Sequence, residues 1–252
     1  LRGTGPEHHC LRLVAGSADV LDHLAFAVAD RAALEAAAEA LVAAGVGLTD
    51  EPGSLDGPGG GIGLRFHDPE GRAIELSVET EAVPPRPAGP TPTKLSHVVL
   101  NTTDIDAAAD WWCRVLGLRV SDWSEHQMVF LRCNADHHSI AFNQADYASI
   151  NHAAFEVPSL DAFMTSLGRL HRAGHEPGWG PGRHGPGNNA FGYFVDPVGH
   201  VPEVTAEVQQ IDEAIWTPRV WRRVPELSDL WGTAGPPSAE IRQHMAGRPT
   251  PT

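Results

Sequence analysis

Apolar and polar positions alternate along residues 20–28 (VLDHLAFAV) with the two-residue period of a strand, and the period then changes. From Asp30 an alanine-rich stretch follows helical spacing until Gly45, which reads as a helix opened by an aspartate cap and stopped by glycine. Short apolar segments at 61–67 and 72–78, split by the turn DPEG, read as further strands. The same order returns at 95–143, where LSHVVLNT leads into a helix from about Asp104 to Leu116 capped by Gly117. It returns again at 149–206, with a helix from about Ser159 to Ala173 that ends at Gly174. The pattern predicts an α+β chain built from tandem βαβββ modules.

The text repeats as well as the pattern. LRGTGPEHHCLRLVAGSADVLDHLAFAV, from Leu1, matches LRCNADHHSIAFNQADYASINHAAFEV, from Leu131, and DPEGRAIEL from Asp68 matches DPVGHVPEV from Asp196. His8 precedes His23 by the same 15 residues that separate His137 from His152. The offset is 129 at the histidines and 128 at the acidic motif, so one deletion relates the two copies and the chain carries a tandem duplication. The expected organisation is an N-terminal domain at 1–80, a Pro-rich linker at 81–94, a C-terminal metal-binding domain at 95–208 and a Trp-rich tail at 209–252. The tail carries Trp216, Trp221 and Trp231 and is expected to dock on its own domain as a belt, with a lid or a subunit contact as alternatives.

In the second copy His97 lies 41 residues before His138, whereas only eight residues precede His9 in the first. The duplication therefore predicts two domains of paired modules with the first module truncated by about 33 residues, and a longer native chain or another segment that supplies them.

Composition narrows the partners. With 18 Lys+Arg against 32 Asp+Glu the net charge is −14, which opposes binding to nucleic acid or to an anionic membrane surface. No apolar run approaches the roughly 20 residues of a membrane-spanning helix. Cys10, Cys113 and Cys133 are odd in number and lack C-x-x-C spacing, which suits a reducing cytoplasm, the expected location.

The second copy places His97, His152 and Glu203 on three successive strands. Two imidazoles and one carboxylate on one face of a curved sheet match the facial triad of non-haem iron(II) oxygenases, which leaves coordination positions open. Spacing alone also fits histidines that merely pack.

The run GPGRHGPGNNAFGYFVDPVGHVPE, with LSHVVL, DHHSIAF and INHAAFEV, resembles the type I extradiol ring-cleaving catechol dioxygenases of the vicinal oxygen chelate (glyoxalase-like) superfamily, most of all the homoprotocatechuate 2,3-dioxygenase branch. The resemblance covers nearly the whole chain and includes VWRRVPELSDLWG in the tail. It implies Fe(II), with Mn(II) able to use the same ligands, held by His97, His152 and Glu203. It implies His138 as the acid-base histidine, with His137 as the fallback, and Tyr193 and His184 beside the substrate oxygens. Trp179, Arg183, Phe191, Val99 and Phe130 are expected to line the pocket; Arg183 either meets an anionic substrate group or pairs with an acid. The implied reaction opens a catechol with dioxygen to a muconic semialdehyde, and a homo-oligomer is expected. Val99 and Trp179 stand where relatives that accept carboxylate-bearing catechols place cationic or polar groups, so the expected substrate carries a less charged or bulkier substituent.

The first copy keeps His23 and Glu75 at the ligand positions but shows no third ligand, and the resemblance implies a structural copy there with His8 and His9 as ordinary strand residues. Two other readings stay open: a glyoxalase-type lyase or isomerase, which recruits a fourth protein ligand, and a protein that sequesters a small aromatic compound and needs no metal.

Overall fold

The computed structural model describes residues 1–250 and contains three complete βαβββ units. The first comprises β1 (Leu24–Ala27), α1 (Arg31–Ala43), β2 (Leu48–Ser54), β3 (Ile62–His67) and β4 (Ala73–Val78). The second comprises β5 (Lys94–Thr102), α2 (Ile105–Leu116), β6 (Arg119–Ser124), β7 (Met128–Arg132) and β8 (Ile140–Gln144). The third comprises β9 (Ser149–Val157), α3 (Leu160–Arg172), β10 (Trp179–Arg183), β11 (Ala190–Tyr193) and β12 (Pro202–Ala206). β13 (Arg219–Trp221), α4 (Pro225–Ser228) and α5 (Ala239–Ala246) follow in the tail.

All three units share one strand order, β1-β4-β3-β2 in the first sheet and its equivalents β5-β8-β7-β6 and β9-β12-β11-β10 in the second. The antiparallel pair β5 and β9 joins the second and third units, and β13 adds in parallel to β6, which makes nine strands. In the smaller sheet β1 has a partner on one side alone among the described residues, whereas its counterpart β9 lies between β12 and β5.

The helix of each unit starts where a side chain can satisfy orphan amides: Asp30, Asp104 and Ser159 accept from the backbone N–H three residues on. Gly117 ends α2 in the left-handed conformation, at φ 72°. The main core runs from the first unit into the second. Leu34, Phe66 and Ile74 share a cluster with Leu100, Trp112 and Phe142, and Phe26 meets Trp112 edge-on. The motif DPEGR clamps this junction. Buried Arg72 donates to Asp68, Glu70 and the carbonyl of Asn101 on β5, while Glu70 accepts from Thr102 and Thr103.

Two expectations change. Residues 11–15 are the counterpart of β8, yet they form no strand, and His8 and His9 lie in irregular chain rather than in a sheet. What survives of the repeat there is a bridge from Glu7 to Ala82, which mirrors the one from Asp136 to Gln210. The strand β2, LTDEPGS, was absent from the apolar pattern, because it is exposed and polar and pairs with β3 through two register shifts.

The tail docks on its own chain. Trp216 donates to the Ser121 carbonyl, Trp221 donates to Asp122, and Ile241 on α5 is buried against Tyr193 and Val201.

Candidate metal centre

β5, β9 and β12 are neighbours, and their register brings His97, His152 and Glu203 together. His97 and Glu203 both lie opposite Ala154, while His152 lies one pleat along on the same strand. The small Ala154 side chain leaves room between them. The ligand atoms of the three residues all lie within 4.8 Å of one another, and each residue is buried. Glu203 Oε2 is 3.3 Å from His97 Nε2 and 3.2 Å from His152 Nε2. Donors set at right angles around an ion with bonds of ~2.1 Å would stand ~3 Å apart, so the spacing suits one cation.

The donors themselves point the same way. Glu203 Oε2 is fully buried and finds no hydrogen-bond donor, which is costly unless a cation meets it. Oε1 accepts from Asn189 Nδ2 at 3.3 Å, His152 Nδ1 meets Asn151 Oδ1 at 2.8 Å, and His97 Nδ1 meets Ser96 Oγ at 3.2 Å. These contacts occupy the far nitrogens and leave both Nε2 atoms to ligate. Burial pushes the Glu203 carboxyl up, but His97 and His152 outweigh it and hold the group well below the ordinary carboxylate range. Burial also lowers His152, so its imidazole is neutral and competent as a ligand at pH 7.

Around the triad, the ring of His138 lies 4.1 Å from that of His97 and 5.2 Å from Phe130. Burial first, and then the neighbouring His97, drives His138 well below its ordinary value. Its Nδ1 meets His137 Nδ1 at 3.1 Å, and His137 Nε2 meets Asp122 Oδ2 at 3.1 Å. Asp122 in turn accepts from Trp221 and from the Arg219 backbone. His137 is thus turned toward Asp122, and His138 is the member of the pair beside the candidate metal ligands. Gly187, at φ +77°, passes so close that an added Cβ would sit 3.0 Å from His138 Cε1.

Tyr193 pairs with Glu203 across β11 and β12, and its ring lies 5.0 Å from that of His152. Its hydroxyl is 2.9 Å from His184 Nε2. Burial and then the charge of Glu203 raise the phenol well above its ordinary value, so it keeps its proton. Trp179 stacks on Tyr193 at 5.0 Å and His184 stacks on Phe191 at 3.9 Å. Val99 and Phe130 pack together with Ala141 and Met128 as an apolar patch. Arg183, one of the expected pocket residues, is held by Glu207 at 2.5 Å and Asn188 at 3.1 Å, which is the acid-pairing alternative. Sequence reasoning missed Asn189, Asn151, Ser96 and Asp122. The motif GNNAF held a signal for Asn189, and nothing marked Asp122.

His184 supplies a test of the metal-free site. Burial lowers it from 6.5 to about 4. Between those values the unfolded chain binds the proton and the folded chain does not, so stability falls as pH drops through the window, by up to ~1.4 kcal/mol per unit. Denaturant unfolding of metal-free protein at pH 7 and pH 5 should show the loss; equal midpoints at both pH values would contradict it.

In the first copy Arg65 stands at the position of Tyr193 and donates through Nε and Nη2 to Glu75 Oε2, at 2.9 and 2.7 Å. His23 Nε2 lies 3.9 Å from the same oxygen. A guanidinium therefore takes the place beside Glu75 that a cation would take beside Glu203. Among the described residues one metal-competent group is present, that of the second copy.

The comparisons with known proteins agree with this fold. Residues 94–204 match the sequence profile of the Glyoxalase/Bleomycin resistance protein/Dioxygenase superfamily. The Mn(II)-bound glyoxalase of Novosphingobium aromaticivorans is 35% identical, with a TM-score of 0.90 over 95% of this chain and 80% of that one. The chain belongs to this superfamily. Metapyrocatechase 2 of Cupriavidus necator is 29% identical over 194 residues, which cover 68% of this chain and 59% of that protein, so the chain spans about three-fifths of its length. Homoprotocatechuate 2,3-dioxygenase of Brevibacterium fuscum, in a complex with 3,4-dihydroxyphenylacetate, shares the fold at a TM-score of 0.83 and 21% identity, over 96% of this chain and 79% of that one. No helix among the described residues is long and apolar enough to cross a membrane.

Proposed function

We propose that this chain carries the catalytic centre of an extradiol dioxygenase that opens a catechol ring with dioxygen to a muconic semialdehyde. The observation that carries the reading is the buried, unpartnered Glu203 Oε2 between two imidazoles, with a neutral histidine and a phenol beside it. The similarity to a metapyrocatechase supports it. His97, His152 and Glu203 would hold Fe(II) or Mn(II). Bound there, the ion would supply coordination positions for both catechol oxygens and for dioxygen and let charge pass between them.

The remaining work belongs to the protein. His138 is neutral, so it can take the proton of a catechol hydroxyl and later return it. Tyr193 keeps its proton and can donate to an anionic oxygen, or hand that bond to His184 Nε2. Trp179 and Phe191 fix the positions of Tyr193 and His184 by stacking, and Val99 with Phe130 keeps water from His138. These apolar walls favour a catechol with an uncharged or bulky substituent over one with a carboxylate.

Anaerobic loading with Fe(II) and then a panel of catechols should give oxygen uptake and a yellow product, fastest with apolar substituents. No uptake with any catechol would end the dioxygenase reading, and a clear preference for a carboxylate-bearing catechol would end the substrate assignment. A second reading, a glyoxalase-type isomerase or lyase, draws on the solved Mn(II)-bound relative. It predicts turnover of a catechol-free substrate without oxygen uptake, at a site with a fourth protein ligand.

A further inference from the structure

The loop after α4 is laced along β10 and the turn that follows it. Gly185 N donates to the Leu227 carbonyl at 3.0 Å, Leu230 N to the Arg183 carbonyl at 2.7 Å, and Trp179 Nε1 to the Gly235 carbonyl at 2.8 Å. Asp229, 3% exposed, organises the loop. Its Oδ1 accepts from Arg183 N at 3.0 Å and Trp231 N at 3.1 Å, and its Oδ2 from Ala234 N at 2.7 Å. Gly182 permits the approach, since a Cβ there would meet Asp229 Oδ1 at 2.9 Å. The residue before Asp229 turns its carbonyl onto the site: Ser228 O lies 3.0 Å from His184 Nδ1.

A carbonyl oxygen can only accept, so the hydrogen lies on Nδ1 of His184. A neutral imidazole then carries a lone pair on Nε2, and the Tyr193 hydroxyl 2.9 Å away must be the donor in that bond. We propose that Asp229 is a positioning residue of the C-terminal tail: by pinning the loop it holds the Ser228 carbonyl on His184 Nδ1, fixes His184 as an acceptor at Nε2, and aims the Tyr193 proton at it. Tyr193 is then the one protein donor of this pair that a substrate oxygen can recruit, while His184 receives protons and does not give them. The tautomer stands on geometry alone, and its use in turnover rests on the dioxygenase reading.

The test uses metal-free full chain at pH 7, with ¹⁵N-labelled histidine and the His184 signal assigned by its loss in His184→Gln. Long-range ¹⁵N–¹H correlation should show His184 with its proton on Nδ1. A proton on Nε2 overturns the proposal, whatever the enzyme assays give. In Asp229→Ala the single tautomer should give way to a mixture, and in Asp229→Asn, whose amide oxygen still accepts from Arg183 N and Trp231 N while its Nδ2 cannot accept from Ala234 N, it should return in part. With Fe(II) bound, Asp229→Ala should lose roughly 10–100-fold in kcat/KM at unchanged metal content, the size of effect seen for partners that orient site groups. A folded Asp229→Ala that keeps the Nδ1 proton in full overturns the proposal too. If Asp229→Ala does not fold, the wild-type tautomer decides alone. Failure of the catechol panel with the Nδ1 tautomer present would sink the dioxygenase reading and leave the positioning role intact.

Discussion

A Glu203→Gln variant should lose stoichiometric metal and, with it, all oxygen uptake above background. Glu203 is the only anionic donor of the triad, and its Oε2 is the atom within 3.3 Å of both ligating nitrogens. Gln keeps the shape and the bond from Asn189 but presents a neutral oxygen, or an N–H, to the cation. In a buried site the lost charge is poorly screened, so affinity should fall by more than the roughly 10–100-fold that follows loss of an outer hydrogen-bond partner. Metal analysis after anaerobic loading and desalting reads the result directly. Full metal content in a folded Glu203→Gln protein would show that Glu203 is not a ligand. The variant should fold, because it removes a buried carboxylate whose Oε2 has no hydrogen-bond partner of its own.

The second large effect concerns His138. His138→Phe keeps a ring of similar size against His97 and Phe130 but can neither accept nor return a proton. Loss of a general acid-base group lowers turnover by ~10²–10⁴-fold. The loss should fall on kcat, with metal content unchanged and KM within a few-fold, since none of the three ligands is touched. Steady-state oxygen uptake under saturating catechol measures it. A kcat within about threefold of the parent would move the proton to another group, and His137 is the next to test, although it faces Asp122.

The residues behind both predictions were named from the sequence, Glu203 through the repeat and its strand pattern and His138 through the resemblance alone. β5 and β9 each precede a capped helix in the recurring strand-helix order, so His97 and His152 could be assigned to strands, and the repeat of DPEGRAIEL as DPVGHVPEV carried Glu203 into the last strand of its unit. Helix starts were equally open to reading, because Asp30, Asp104 and Ser159 cap with their own side chains. What escaped has a common cause in tertiary pairing. β2 contains Pro52 and Gly53, and β10 is WGPGR; neither alternates, and each is a strand because a neighbour supplies its ladder. Asp122 is one acid among 32, and only the fold brings His137 and Trp221 to it. His8 and His9 kept the spacing of their counterparts but not the strand pairings that place those beside a site.

Arg65 draws a different kind of line through the molecule. In the proposed site Glu203 would be met by an ion acquired from solution, while Glu75 is met by Arg65, a cation that is part of the chain. Ligand binding stabilises only the state that binds it, by an amount set by the free concentration of the ligand. The two glutamates would therefore answer to different supplies. The Glu75 pair carries its counter-charge within the chain, and the stability of the Glu203 site would rise and fall with the free concentration of the metal.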